Sequence, residues 1–170
     1  MNYKIKRINK EDAYDYMKVN TISWIQTYKG IVSDEFLTKI EKELYKNAIN
    51  LKNKMNPTED YRYLLYYENK PVGNSSIGPS RIEEYPTSGE IESIYLLDEV
   101  KDKGLGKKLF EHDKNKLKKL GYKDMVIGCL KDNIKANGFY QHMGGELVFT
   151  RTINIGNQPL QENIYYFNKI

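Results

Sequence analysis

The segment Lys101-Asp102-Lys103-Gly104-Leu105-Gly106 constrains this chain most. It sits between a strand-like run, Glu90 to Leu97, and a helix-like run that ends at Leu120-Gly121. A strand that turns on glycines into a helix builds an anion cradle. Glycine lets main-chain N–H groups approach a phosphate closely, and the helix N-terminus adds about half a positive charge. A strand-to-helix turn that binds nothing has the same signature. The segment therefore gains meaning from two further features downstream in the chain, Asn133 and Phe139-Tyr140.

A chain of 170 residues buries a sizeable core without staples, and 1–170 is expected to be a single domain. No apolar run approaches the roughly 20 residues that span a bilayer. Met1 to Arg7 lacks the apolar centre of a signal peptide. A cytoplasmic enzyme or binding module is expected, with no membrane partner. The single cysteine, Cys129, makes neither an intrachain disulfide nor a thiolate metal cluster, and no metal is expected. The net charge of +4 suits an acidic ligand and plain solubility alike. Of 27 basic residues only Arg7, Arg62, Arg81 and Arg151 are arginine. Forked guanidinium readout of bases is thus scarce, which argues against specific nucleic-acid binding.

Alternation makes Tyr3 to Ile8 a first strand. Helical signal continues from Asn9-Lys10-Glu11-Asp12 to Tyr28, and Lys29-Gly30 stops it. Ser33 or Asp34 caps a second helix through about Leu51. Tyr61 to Tyr67 and Pro71 to Ile77 form a hairpin around Glu68-Asn69-Lys70, and Gly78-Pro79 to Ser88 reads as loop. Lys123 to Leu130 is a buried strand. Asp132 to Met143 is a helix closed by Gly144-Gly145. Two short strands finish the chain, Glu146 to Thr152 and Asn163 to Lys169. In the helix after the glycine turn, Leu105, Leu109, Phe110, Leu117 and Leu120 share a face that Asp113 and Lys116 interrupt. The order predicts a mixed α/β sheet with helices on its faces.

The spacing Gly-x-Gly lacks the third glycine of a dinucleotide fingerprint and the gap of a P-loop. It does resemble the cofactor motif of the GCN5-related N-acetyltransferases (GNAT), Arg/Gln-x-x-Gly-x-Gly/Ala. Glu90 to Leu96 looks like that family's fourth strand, and Asn133 to Tyr140 like its Asn-x(6)-Tyr helix. Met143-Gly144-Gly145-Glu146 resembles its closing turn. Ser23 to Ile31 and Asp34 to Leu37 are similar to a pattern of bacterial members. Lys101, Leu97-Asp98 and Gly145 depart from the usual residues.

The resemblance implies an α/β GNAT fold: one mixed, mostly antiparallel sheet of about seven strands with about four helices on its faces. It implies acetyl-CoA as co-substrate. Main-chain amides of Asp102, Lys103, Gly104, Leu105, Gly106 and Lys107 would cradle the pyrophosphate. Lys103, Lys107 and Lys108 would neutralise charge. Ile94, Tyr95 and Leu96 would offer a strand edge to the pantetheine amides, and Asn133 would bond the same arm. A primary amine, with a pKa near ~10.4, must lose a proton before it attacks a thioester. Glu92, or next to it Glu90, would take that proton, directly or through water. The two lie two apart on a strand and so project to one face, with Ser93 opposite. Tyr140 would protonate the leaving thiolate. Trp24 and Tyr28, one helical turn apart, would line the acceptor pocket, although such a pair is commonly core.

Plainer readings stand beside these. Glu90 and Glu92 also fit a solvated strand face. His112 and His142 read as surface helix residues, Cys129 as a buried small hydrophobe, and the lysines at the end of the long helix as a solvated face. The expected partner is a small-molecule or peptide amine. Oligomeric state is left open, a homodimer being one arrangement. A non-catalytic acyl-CoA-binding sensor is the alternative function. A nucleic-acid module built on the lysine-rich helix ranks last, since it leaves Asn133, Tyr140 and the glycine turn without a purpose.

Overall fold

The computed structural model describes residues 2–170. In chain order the elements are β1 (Tyr3–Arg7), α1 (Ala13–Tyr28), α2 (Asp34–Lys42), α3 (Leu44–Lys54), β2 (Tyr61–Tyr67), β3 (Lys70–Pro79) and β4 (Gly89–Leu96). Then come α4 (Leu105–Lys119), β5 (Met125–Leu130), α5 (Ile134–His142), β6 (Glu146–Ile155) and β7 (Gln158–Phe167). The strands form one sheet in the order β1-β2-β3-β4-β5-β7-β6. Every neighbouring pair is antiparallel except β4 and β5, which are parallel.

A parallel pair needs a crossover, and α4 supplies it. Its Leu105, Leu109, Phe110 and Leu117 are completely buried. At about 1.5–3 kcal/mol for each fully buried side chain, this stripe is a principal anchor of the helix. The other face carries α1, whose Tyr16 and Val19 pack with Leu64 of β2 and with Met55. A capping box at Asn9 fixes the entry to α1: Asn9 accepts from the Glu11 and Asp12 amides, and Asp12 accepts from the Asn9 amide.

Four expectations need correction. The second helix is two, broken at Glu43, so the described residues form five α-helices. The break re-aims the apolar stripe: Leu37 packs toward Tyr28, whereas Leu51 packs toward Tyr16. Strand β3 runs on to Pro79, because Gly78 and Pro79 still pair with Glu90 and Gly89. The last two strands are ten residues each and form a hairpin about Gly156. Finally, Asp113 does not interrupt the buried face of α4 by turning outward. It is completely buried, and Leu120 is the residue that lies in solvent, 40% exposed.

Candidate active site

Only two residue pairs, Gly89–Met125 and Glu90–Val126, join β4 to β5. Beyond them the parallel strands part. The cause lies on the other edge of β4, where Ser76 opposes Ser93 but Ile77 opposes Ile91. Glu92 is the extra residue of a β-bulge, and a bulge bends its strand and sharpens its twist. From Ser93 to Leu96, β4 pairs with β3 on one side and with no strand on the other. Ile94, Tyr95 and Leu96 thus border an open wedge with unpaired main-chain groups, the arrangement an amide-bearing arm needs.

The bulge also corrects the expected facing of Ser93. Its hydroxyl meets that of Ser76 at 2.9 Å. Tyr16 of α1 reaches both hydroxyls and feels the Glu92 charge. Glu92 and Ser93 therefore share the α1 side of the sheet.

One end of the wedge is the turn into α4. Gly104 is left-handed, with φ 72°, and Asp102 has φ 65°. Among the described residues, none of the amides from Asp102 to Lys107 donates to a backbone acceptor, and Lys108 is the first that does, to Gly104. A Cβ on Gly106 would stand 3.3 Å from Leu96 Cδ1, so glycine lets the first turn of α4 settle on the end of β4. Lys103, Lys107 and Lys108 are exposed around these amides. Lys101 is tied to Asp98 instead. Free amides, a helix N-terminus and exposed cations fit a diphosphate.

The middle holds the carboxylates. Glu90 is 4% exposed. Arg81 encloses it: the Arg81 amide donates to Oε2 at 2.7 Å, and Nη2 donates to Oε1 at 2.6 Å. Glu92 keeps 24% of its side chain exposed and lies 3.8 Å from Arg81 Nε. A third carboxylate, Glu162 of β7, lies over Gly128, where a Cβ would meet Oε1 at 2.5 Å. Arg151 Nε donates to it at 2.7 Å.

On the β5 side, α5 follows the end of the strand. Asn133 caps this helix and accepts from the Ala136 amide. One level deeper, Asn137 ties the helix down. Its Nδ2 donates to the carbonyls of Leu130, Lys131 and Asn133, and its Oδ1 accepts from Asn163 and the Tyr165 hydroxyl. Tyr140, 7% exposed, lies one turn on. Its hydroxyl makes no hydrogen bond among the described residues. Burial, with the nearby Cys129 and Tyr28, holds its pKa well above the ordinary tyrosine value. Cys129 is itself pushed up to about 12, chiefly by burial, so it is a packing residue rather than a thiolate.

Trp24 and Tyr28 stand edge-on with centroids 4.8 Å apart, beside Tyr95 and Phe36. The Tyr28 and Tyr95 hydroxyls lie 3.0 Å apart. Tyr28 is pushed up to about 12, chiefly by burial. Both expected acceptor residues therefore belong to one aromatic wall, Tyr28 buried and Trp24 half-buried. Arg81, Asn137 and Glu162 are the residues that sequence reasoning missed. Only Asn137 carried a signal, its place on the inner face of the Asn-x(6)-Tyr helix.

The profile of the Acetyltransferase (GNAT) family matches residues 22–145 of this chain. The chain belongs to the GNAT acetyltransferase family. It is an acetyl-CoA-dependent N-acetyltransferase. Two curated relatives of this GNAT chain span nearly all of it. One is the uncharacterized N-acetyltransferase YuaI of Bacillus subtilis, 26% identical over 158 residues, covering 93% of this chain and 88% of that protein. The other is a spermidine N(1)-acetyltransferase of Thermoplasma acidophilum, 24% identical over 144 residues, covering 85% and 88%. Among solved structures, PaiA N-acetyltransferase of Thermoplasma acidophilum in complex with coenzyme A superposes with a TM-score of 0.70 at 20% identity, covering 95% of this chain and 98% of that one. A GCN5-related N-acetyltransferase of Rhodopseudomonas palustris reaches 0.76 at 16% identity, covering 99% and 96%. At such identities the likeness to these structures is one of fold.

Proposed function

We propose that this GNAT chain transfers the acetyl group of acetyl-CoA to a primary amine of a small molecule, by direct attack within a ternary complex. The unpaired amides of Asp102 to Lys107 receive the pyrophosphate. The open edge of Ile94, Tyr95 and Leu96 pairs with the pantetheine amides, and Asn133 bonds the same arm through its side chain. Trp24 and Tyr28 border the acceptor.

Glu92 is the general base. It removes a proton from the acceptor ammonium, directly or through water. The freed nitrogen lone pair forms the new C–N bond at the thioester carbon, and the C–S bond breaks. Tyr140 gives its phenolic proton to the departing sulfur and regains one from the nitrogen, through solvent. Glu90 holds Arg81 beside Glu92 and takes no proton.

This reading is supported by a Tyr140 hydroxyl that makes no hydrogen bond among the described residues and lies near Cys129 and Tyr28, together with the unpaired amides that begin α4. The spermidine N(1)-acetyltransferase relative supports small amines, polyamines included, as the class to test first. Coenzyme A thiol release across mono-, di- and polyamines tests it. Turnover is expected with at least one primary amine and none with its tertiary analogue. Acetyl-CoA binding with no turnover on any amine would leave a non-catalytic acyl-CoA-binding module.

A further inference from the structure

The second half of α4 and the outer strands β1 and β2 enclose a cavity of about 270 Å³ on the other face of the sheet from Trp24 and Tyr28. Its lining carries four basic side chains, Arg7, His112, Lys116 and Lys119, and no carboxylate. Tyr61 and Tyr63 contribute two aromatic walls.

The basic groups are held in place. His112 stands edge-on against Tyr63 with centroids 4.5 Å apart. Its Nδ1 lies 2.9 Å from Asp113 Oδ1. With Nδ1 engaged, Nε2 is the ring nitrogen left for another partner. Arg7 lies 4.2 Å over the Tyr61 ring and donates from Nε and Nη2 to the Asp60 carbonyl and from Nη2 to that of Pro57. Its Nη1 makes no bond among the described residues.

Asp113 makes this arrangement more than a charged surface. It is completely buried, on the opposite side of the sheet from the acceptor wall, and its Oδ2 has no hydrogen-bond partner among the described residues. The Ser75 hydroxyl lies near enough to stabilise the carboxylate but not in hydrogen-bond geometry. A buried carboxylate costs several kcal/mol unless it is paired. The acetyl-transfer groups make no use of it. Its one directed partner is the His112 ring, and its effect is to fix that ring at the cavity wall. Arg7, Lys116 and Lys119 bring three positive charges to a lining that carries no carboxylate, which favours an anion there.

We propose that this cavity is a second ligand site, for a small planar anion: an aromatic or heteroaromatic ring bearing a carboxylate or phosphate. The His112 ring presents Nε2 to the acid group, with Lys116 and Lys119 beside it. Tyr61 and Tyr63 flank the ring. The volume lies just below the range of ordinary ligand pockets, which suits one ring with its acid group and excludes a coenzyme.

The chain has two histidines, which makes imidazole NMR a direct readout. The full protein is saturated with coenzyme A to fill the α4 cradle and then titrated with phenyl phosphate. A saturable shift of the His112 ring signals is expected, with His142 on α5 unmoved. Lys116→Gln/Lys119→Gln, a surface variant that leaves the core intact, is expected to weaken binding roughly tenfold, with coenzyme A thiol release unchanged. His112→Gln is expected to weaken it comparably. Inorganic phosphate is expected to bind at least several-fold more weakly than phenyl phosphate. No saturable shift, parallel movement of both histidines, full affinity in the double variant, or equal affinity for inorganic phosphate each overturns the proposal.

Discussion

The Arg81 guanidinium closes on Glu90 with a 2.6 Å bond from Nη2 to Oε1. The same guanidinium leaves Glu92 at 3.8 Å and four times as exposed, 24% against 6% of the side chain. Two carboxylates that sequence makes equivalent are thereby separated into a partnered one and an available one. Glu92→Gln is expected to lower kcat by about 10²-fold, the usual contribution of a general base, with little change in stability. Glu90→Gln leaves Arg81 without its full charge partner. It is expected to cost about 1–3 kcal/mol in urea unfolding, towards the low end because Arg81 reaches solvent, while slowing turnover less than Glu92→Gln does. The reverse order of the two kcat values would exchange their roles.

Tyr140→Phe removes a hydroxyl that makes no hydrogen bond among the described residues. A loss of about 10²-fold or more in kcat is expected, with the acetyl-CoA Kd changed less than about threefold. The pH profile supplies an independent check. Burial raises the Tyr140 pKa, so the folded enzyme holds that proton to higher pH than free tyrosine does. An acid must be protonated to act, so the wild-type kcat should show no fall attributable to Tyr140 up to about pH 10. An alkaline limb near pH 8 that disappears in Tyr140→Phe would show a low-pKa phenol and contradict the buried environment.

Gly104 is left-handed at φ 72°, and a Cβ there would meet nothing within 4 Å. Its requirement is conformational in the free protein and steric once a ligand occupies the open space. Gly104→Val is expected to cost about 1–2 kcal/mol of stability and to abolish detectable acetyl-CoA binding in calorimetry, with the far-UV circular dichroism retained. Wild-type affinity in that variant would place the diphosphate elsewhere.

Asn137 joins α5 to the end of β5 and to β7 through all of its polar atoms. Asn137→Leu strands the Tyr165 hydroxyl and the Asn163 amide in the interior. A loss of about 2–4 kcal/mol is expected in urea unfolding. Because Asn133 and Tyr140 ride on the same helix, kcat should fall while KM for acetyl-CoA rises. A variant that loses stability alone would show that α5 is positioned without Asn137.

The sequence displays the elements whose signals are local. The glycine turn at 104–106, the Asn133 cap and the alternation of Tyr61 to Tyr67 each depend on residues a few positions apart. It conceals what depends on partners far along the chain. Arg81 lies in a loop with no periodicity, and its pairing with Glu90 comes from the register of β3 against β4. The helix break at Glu43 has no glycine or proline to announce it. It answers two different partners, Tyr28 and Tyr16, presented by α1. Asp113 reads as a flaw in an apolar stripe, and it is a buried carboxylate whose ring partner is the neighbouring residue.

Sequence alone determined that a strand would feed a glycine turn and then a helix start, because glycine lets main-chain amides approach an anion closely and a helix start leaves its first amides unpaired. It also determined that Asn133 and Tyr140 would ride one helix, seven residues apart. Tertiary structure decided which way each carboxylate faces and how far its charge is met. A one-residue bulge at Glu92 turns neighbouring side chains to the same side and opens β4 from β5, and a bulge is a property of two strands in register, not of either one.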